Sequence, residues 1–276
     1  MYKRLILMVV AGAMCVTISC RKDRTKPVPV HPVSNSIYGD SVLFVQPSVS
    51  HYIVSPVNLK DGTYSVIPDG LKIDPATGSI DVNQSETGLK YKVLFTPTGS
   101  NIAETSYIII SGINYQDKIY NLATGDSIAM PIYNANIHAT LPGINNGSSF
   151  DNNSGCKNAG IEVDPNTAEI NLAKSVRDQG IDTGSTQEVK LVYKINDDSH
   201  QATNGLDVKV YFYRTASEIP QYLLDILNAR KGLIFDSAPP APLQIQTIRA
   251  KTLASITFSS QQPARPRPPC IIVVSR

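Results

Sequence analysis

Between residues 41 and 213 apolar and polar positions alternate over short stretches, the period-two pattern of strands buried on one face. Runs 41–46, 51–55 and 63–67 read as strands, followed by 91–95 and 105–111. A second set falls at 126–133, 137–141, 188–195 and 206–213. In 190–195, Leu191, Tyr193 and Ile195 face inward and the lysines outward. In 206–213 the inward set is Leu206, Val208, Val210 and Phe212, which turns Tyr211 and Tyr213 outward. Residues 145–155 read as a polar loop. Beyond 216 the period changes. Ile219, Tyr222, Leu223, Ile226 and Leu227 predict an amphipathic helix over 218–231, capped by Ser217 and stopped by Gly232. Pro220 falls in its first turn, where proline is tolerated. Strand-like runs at 243–248 and 252–259 follow a Pro-rich break. The final run, Cys270 to Val274, is apolar throughout and needs a partner. It reads as a strand added to a sheet edge, in this chain or in another.

One pattern occurs twice. Residues 70–82 (GLKIDPATGSIDV) align without gaps with 160–172 (GIEVDPNTAEINL), an offset of 90, and Ser85 and Ser175 extend the match. Leu71/Ile73 and Ile161/Val163 alternate as strands do, Asp-Pro starts a turn, and the following residues return as the partner strand. Gly78 suits a positive φ; its counterpart is Ala168, which would cost on the order of 1 kcal/mol in that conformation. A period of this size matches one immunoglobulin-like domain. The motif resembles the putative-Ig, cadherin-like repeat of bacterial surface proteins, where a "Y-x-V" strand follows the hairpin. Tyr91-Lys92-Val93 fits that strand, and Glu188 to Tyr193 fits it more loosely. The expected fold is therefore all-β, with two tandem Ig-like β-sandwich domains at 37–115 and 118–215. A helix plus β element at 216–276 completes it.

The first 20 residues differ in kind. Lys3 and Arg4 precede an apolar run from Leu5 to Ile18, too short for a spanning helix and suited to a signal peptide. Thr17-Ile18-Ser19-Cys20 resembles a bacterial lipoprotein lipobox, with small Ser19 before the cysteine. That resemblance implies cleavage after residue 19 and acylation of Cys20, an anchor held by two or three acyl chains. Residues 20–36 are basic and then Pro-rich, as in an extended tether. Ser-Cys-Arg-Lys-Asp at 19–23 is similar to lipoproteins of the Bacteroidota, and both faces of the outer membrane remain open.

Composition bears mainly on what is excluded. The 276 residues carry 25 Lys+Arg against 23 Asp+Glu, and without Lys3 and Arg4 the charges balance. That balance excludes a dedicated nucleic-acid binder. No metalloprotease, nucleophile-elbow, phosphate-loop or dinucleotide motif occurs. His31, His51, His138 and His200 are scattered, and no catalytic residue is assigned. Asp74 and Asp164 read as turn residues. Cys156 and Cys270, left once Cys15 and Cys20 are set aside, form a disulfide in an oxidising compartment or stay as buried thiols. The cadherin-like resemblance raises calcium at a domain junction, through Asn196-Asp197-Asp198 or Asp151-Asn152-Asn153; the alternative is solvated loop tips. No other cofactor or metal is expected. Tyr211 and Tyr213 are the candidate ligand-facing side chains, with Tyr107, Tyr115, Tyr120 and Tyr133 near the domain boundary. There is no Trp for a flat sugar platform. These features imply a lipid-anchored envelope protein of interaction, adhesion or spacing, partnered by the membrane and another envelope protein. The rival is a glycan-binding accessory lipoprotein of a polysaccharide-uptake system.

Overall fold

The structure, a computed structural model, describes residues 37–58, 60–178, 181–230 and 268–276. The leader, the tether with Cys20 and His31, Gly232, and the runs 243–248 and 252–259 lie outside the described residues.

The first half supplies β1 (Val42–Leu43), β2 (Ile53–Val54), β3 (Gly62–Ile67), β4 (Ile80–Asp81), β5 (Leu89–Pro97) and β6 (Glu104–Ile110). A sheet in the order β1-β6-β5-β3 packs with the pair β2-β4. β1 runs parallel to β6, and the other neighbours are antiparallel. Strand alternation fills the core between the layers: Leu89, Tyr91, Val93 and Phe95 of β5 point in against Ile108 and Ile110.

The second half supplies β7 (Ile113–Tyr115), β8 (Lys118–Asn121), β9 (Ile128–Ala129), β10 (Pro131–Tyr133), β11 (Ser149–Phe150) and α1 (Gly155–Asn158). It continues with β12 (Ile170–Asn171), α2 (Leu172–Arg177), β13 (Thr186–Lys194), β14 (Asn204–Tyr213), α3 (Gln221–Arg230) and β15 (Cys270–Val274). Its main sheet runs β11-β13-β14-β15-β8, with β12-β9 as the second layer and β7-β10 as a further pair. Ile113 and Tyr115 belong to the core of this half, so the two cores divide between Ile110 and Ile113. The fold is all-β and Ig-like in layout.

The halves correspond strand by strand. β3-β5-β6 of the first matches β11-β13-β14 of the second, and β2-β4 matches β9-β12. One bridge closes each repeated hairpin, Ile73 with Ile80 and Val163 with Ile170. Hydrogen bonds repeat as well. Ser85 Oγ accepts from Lys72 N (2.9 Å) and donates to Asp81 O (2.7 Å). Ser175 Oγ accepts from Glu162 N (3.0 Å) and donates to Asn171 O (2.8 Å). Tyr38 donates its hydroxyl to Gly78 O and Tyr115 to Ala168 O. The turn position is left-handed in both copies, with φ of 71° at Gly78 and 62° at Ala168. Ala168 therefore does occupy the disfavoured conformation.

The departure lies at one strand. In the first half β1 pairs directly with β6, Val42 opposite Ile109. In the second, β15 stands between β14 and β8 and runs parallel to both. It is an interior strand, not the edge strand expected. Ile271 and Val273 enter the core of the second half, while Cys270, Ile272 and Val274 enter a third core beneath α3. All five residues are buried. A parallel strand covered on both faces needs a continuous apolar run, which is why this one does not alternate.

Two local expectations change. Residues 137–141 form a turn at 137–138 and irregular backbone after it, not a strand, because Asn134 and Ala135 take positive φ (51° and 53°) and Asn136 accepts from His138 N. The helix begins at Gln221, after a 3-10 turn at Ala216–Glu218 that leaves Ser217 without a capping role.

Two predictions follow from the repeated turn. Gly78→Ala should lose at least about 1–2 kcal/mol, since φ is positive and a Cβ would stand 2.6 Å from the Tyr64 ring. An unchanged urea midpoint would contradict this. Asp74 accepts from Thr77 N and Ala76 N, and Asp164 from Asn166 N and Thr167 N. These bonds hold both carboxyls below the ordinary value of 3.8. A lowered folded pKa contributes stability above the unfolded value that is lost as pH falls through the folded one. Urea midpoints should therefore decline below pH 3.8, and the Asp74→Asn, Asp164→Asn double variant should decline less steeply. Equal slopes would refute the assignment.

Candidate functional site

The richest polar cluster lies where the two halves meet. β13 carries Tyr193 inward to the boundary, where its hydroxyl lies 2.8 Å from Thr87 Oγ1 and accepts from Ile113 N at 3.2 Å. Burial pushes this phenol up to about 12, so it stays a neutral donor and acceptor. Asp197 Oδ2 accepts from the hydroxyls of Ser111 and Tyr133, each at 2.9 Å. Asn134 Oδ1 accepts from Gly112 N at 3.1 Å. Glycines permit this proximity: a Cβ at Gly88 would lie 2.3 Å from Ile113 O, and one at Gly112 2.6 Å from the Tyr193 hydroxyl.

The candidate calcium ligands are thus occupied otherwise. Asp197 is committed to Ser111 at the boundary and to Tyr133, and it also accepts from Ser199 N through Oδ1. Asn196 donates to Asn146 O, and Asp198 has no place in the junction bonds. Asp151 accepts from Cys156 N and Lys157 N at the start of α1. Among the described residues no group of three or more His, Cys, Asp or Glu side chains could hold a metal ion.

Cys156 and Cys270 are free thiols, not a disulfide. Cys156 is in the second core and Cys270 in the third, on the opposite face of the sheet from Ile271 and Val273. Burial pushes their thiols up to about 12 and about 11, with Asp151 and Asp117 adding to it. Both are held protonated and unreactive. Tyr211 and Tyr213 point away from the second core but are only 8% exposed, because α3 and β15 cover them. Sequence alternation identified their face and could not show the helix that lies on it. The pair that pointed to a glycan is therefore core. Tyr115 and Tyr120 are also buried; Tyr107 is exposed, with Lys90 Nζ 5.0 Å from its ring centre.

Two features escaped the sequence reading. His51 Nδ1 lies 2.6 Å from Asp81 Oδ2, while Asp81 Oδ1 is buried without a partner. The repeat held a clue, since Asn171, at the same position, instead accepts from Lys174 N. Second, Tyr38-x-Asp40 and Tyr115-x-Asp117 repeat at an offset that the gapless match does not share. Asp117 Oδ1 accepts from Cys270 N (2.5 Å) and Arg230 Nη1 (3.1 Å), and Arg230 Nη1 also donates to Pro268 O (2.8 Å). A cleft of about 390 Å³ opens between the halves, lined by Gln46, Ser50, Asn83, Lys194 and Gln201 among others. It joins one cation to neutral amides and the hydroxyls of Ser50 and Thr203, without a carboxylate, and Asn83 is already bonded to Gln46 and Val49.

No family model and no curated protein matches the sequence. Human protocadherin-24 EC1-2 is similar with a TM-score of 0.21 and 6% identity, over 63% of this chain and 95% of that one. Drosophila N-cadherin EC1-3 is similar with a TM-score of 0.23 and 10% identity, over 62% of this chain and 63% of that one. The β layout described above stands on this chain's own strand pairing.

Tyr193→Phe should cost about 1–3 kcal/mol, because it strands the buried Ile113 N–H and the Thr87 hydroxyl. A denaturant midpoint equal to that of the unaltered protein would show that the junction bonds contribute nothing.

Proposed function

We propose that this chain is a non-enzymatic interaction module of the bacterial cell envelope, lipid-anchored through Cys20 to the outer membrane and presenting two joined Ig-like units to another envelope protein. The observation that carries the interaction reading is the exposed apolar stretch around β2. Val49, Tyr52, Ile53 and Val57 are 47%, 36%, 53% and 65% exposed. β2 pairs with β4 on one side and, among the described residues, with no strand on the other. Unpaired strand edges with apolar side chains are surfaces that a partner segment can extend. The junction supports the spacer side of the reading, since the buried hydrogen bond between Thr87 and Tyr193 joins one unit to the other. The lipobox-like Thr17 to Cys20 supports the anchor.

One cell experiment tests both halves of the proposal. A photo-crosslinking residue at Ile53 should give a defined product with another envelope protein, and palmitate label should enter the chain. Cys20→Ala should abolish the label and release the protein from membranes. Absence of any crosslinked product would contradict the interaction reading, and label persisting on Cys20→Ala would contradict the anchor.

A further inference from the structure

The two halves differ by one inserted strand, and the insertion leaves a distinctive slot. The first half closes by direct parallel pairing of β1 with β6. In the second, the equivalent strands β8 and β14 are held apart, and each spends its ladder on β15: Ile271 opposite Lys118 and Val210, Val274 opposite Asn121 and Tyr213. Without an occupant, both strands would bare their backbone polar groups, and two cores would lose a wall. The slot is selective. It demands a parallel strand, apolar on both faces, whose first N–H meets Asp117 Oδ1. Cys270 to Val274 meets each demand.

The connection to that strand is longer than its insertion needs. α3 ends at Arg230, and Arg230 Nη1 itself reaches Pro268 O at 2.8 Å. Two points within one side chain of each other are therefore joined by the 37 residues 231–267. Connections in compact domains typically need about 4–6 residues. At roughly 3.3–3.6 Å per residue this segment has a contour on the order of 120 Å, enough to reach a neighbouring molecule.

From the slot and this connection, we propose that β15 is exchanged between copies of the chain, so that the last strand of one molecule completes the second sheet of another. The occupant is a second copy because the strand that fits is one the chain itself carries. The inference goes beyond the proposed function and does not depend on the lipid anchor. The same ladders and the same apolar contacts form in either arrangement, as in domain swapping. What differs is concentration. Insertion within one chain is favoured when molecules are dilute, and exchange grows as their density approaches the effective concentration set by the connection, on the order of millimolar.

The test uses the full chain carrying Arg214→Cys and Arg276→Cys. These two positions are exposed, and Arg276 N donates to Arg214 O at 3.1 Å beside the end of β15. Isotopically heavy and light preparations are mixed, unfolded and refolded together over a range of concentrations, then joined with a short bismaleimide. Peptide mass spectrometry reads the 214–276 link. Heavy–light links should be rare at micromolar protein and rise to roughly a quarter of all such links near millimolar, on the way to the half expected once pairing is fully random. A second pair, Asn121→Cys with Ser275→Cys, reads the β8 side and guards against a misfolded first variant. Links confined to heavy–heavy and light–light pairs at every concentration would overturn the exchange. Absence of both links would overturn the placement of β15 itself.

Discussion

The second half of the molecule depends on a strand that arrives last. β15 offers five consecutive apolar side chains, three to one core and two to another, with a parallel ladder on each edge. Its backbone groups are satisfied on both sides and both its faces are dry, so it contributes to two cores at once. The Asp117 carboxylate receives its first N–H, and Arg230 sits against the same oxygen. Tyr213 and Arg214 receive the N–H groups of Ser275 and Arg276 beyond its end.

This requirement separates two copies of one design. The shared parts are the Asp-Pro turn, the serine that bridges its two arms, and the tyrosine, ahead of β1 in one copy and of β8 in the other, that donates to the turn carbonyl. They settle each hairpin locally, and they work whether the following residue is glycine or alanine. The copies part at the closing pair. Asp40, which has no strand to receive, is exposed, whereas the Asp117 side chain at the start of β15 is only 8% exposed. The aspartates seen first as candidate ligands also have structural work: Asp197 accepts from Ser111 at the boundary and from Tyr133, and Asp151 opens α1.

Much of this was legible from the chain because it is local. Alternation in Leu89 to Phe95 and Leu206 to Val210 reports which side chains face a core, and the turn motif reports its own hydrogen bonds. The left-handed conformation at Ala168 was readable from Gly78 in the other copy. Non-local facts were not legible. A run such as Cys270 to Val274 shows that a strand is buried, not whether it lies at an edge or inside a sheet, since both place apolar residues against something. The outward face of Tyr211 and Tyr213 could be assigned by period, but its cover comes from α3. Two lone cysteines carried no geometry, and the sheet puts them in different cores. At 137–141 the turn chemistry of Asn134 and Asn136 overrode the strand preference of the apolar residues after them.

Native-state hydrogen exchange resolved to single amides tests most directly whether β15 is integral to the sheet. If it is, the amides of Ile271 to Val274 should open only with those of β14 and β8, at the same free energy and with the same denaturant dependence. Rapid, denaturant-independent exchange in β15 while β14 stays protected would contradict the account.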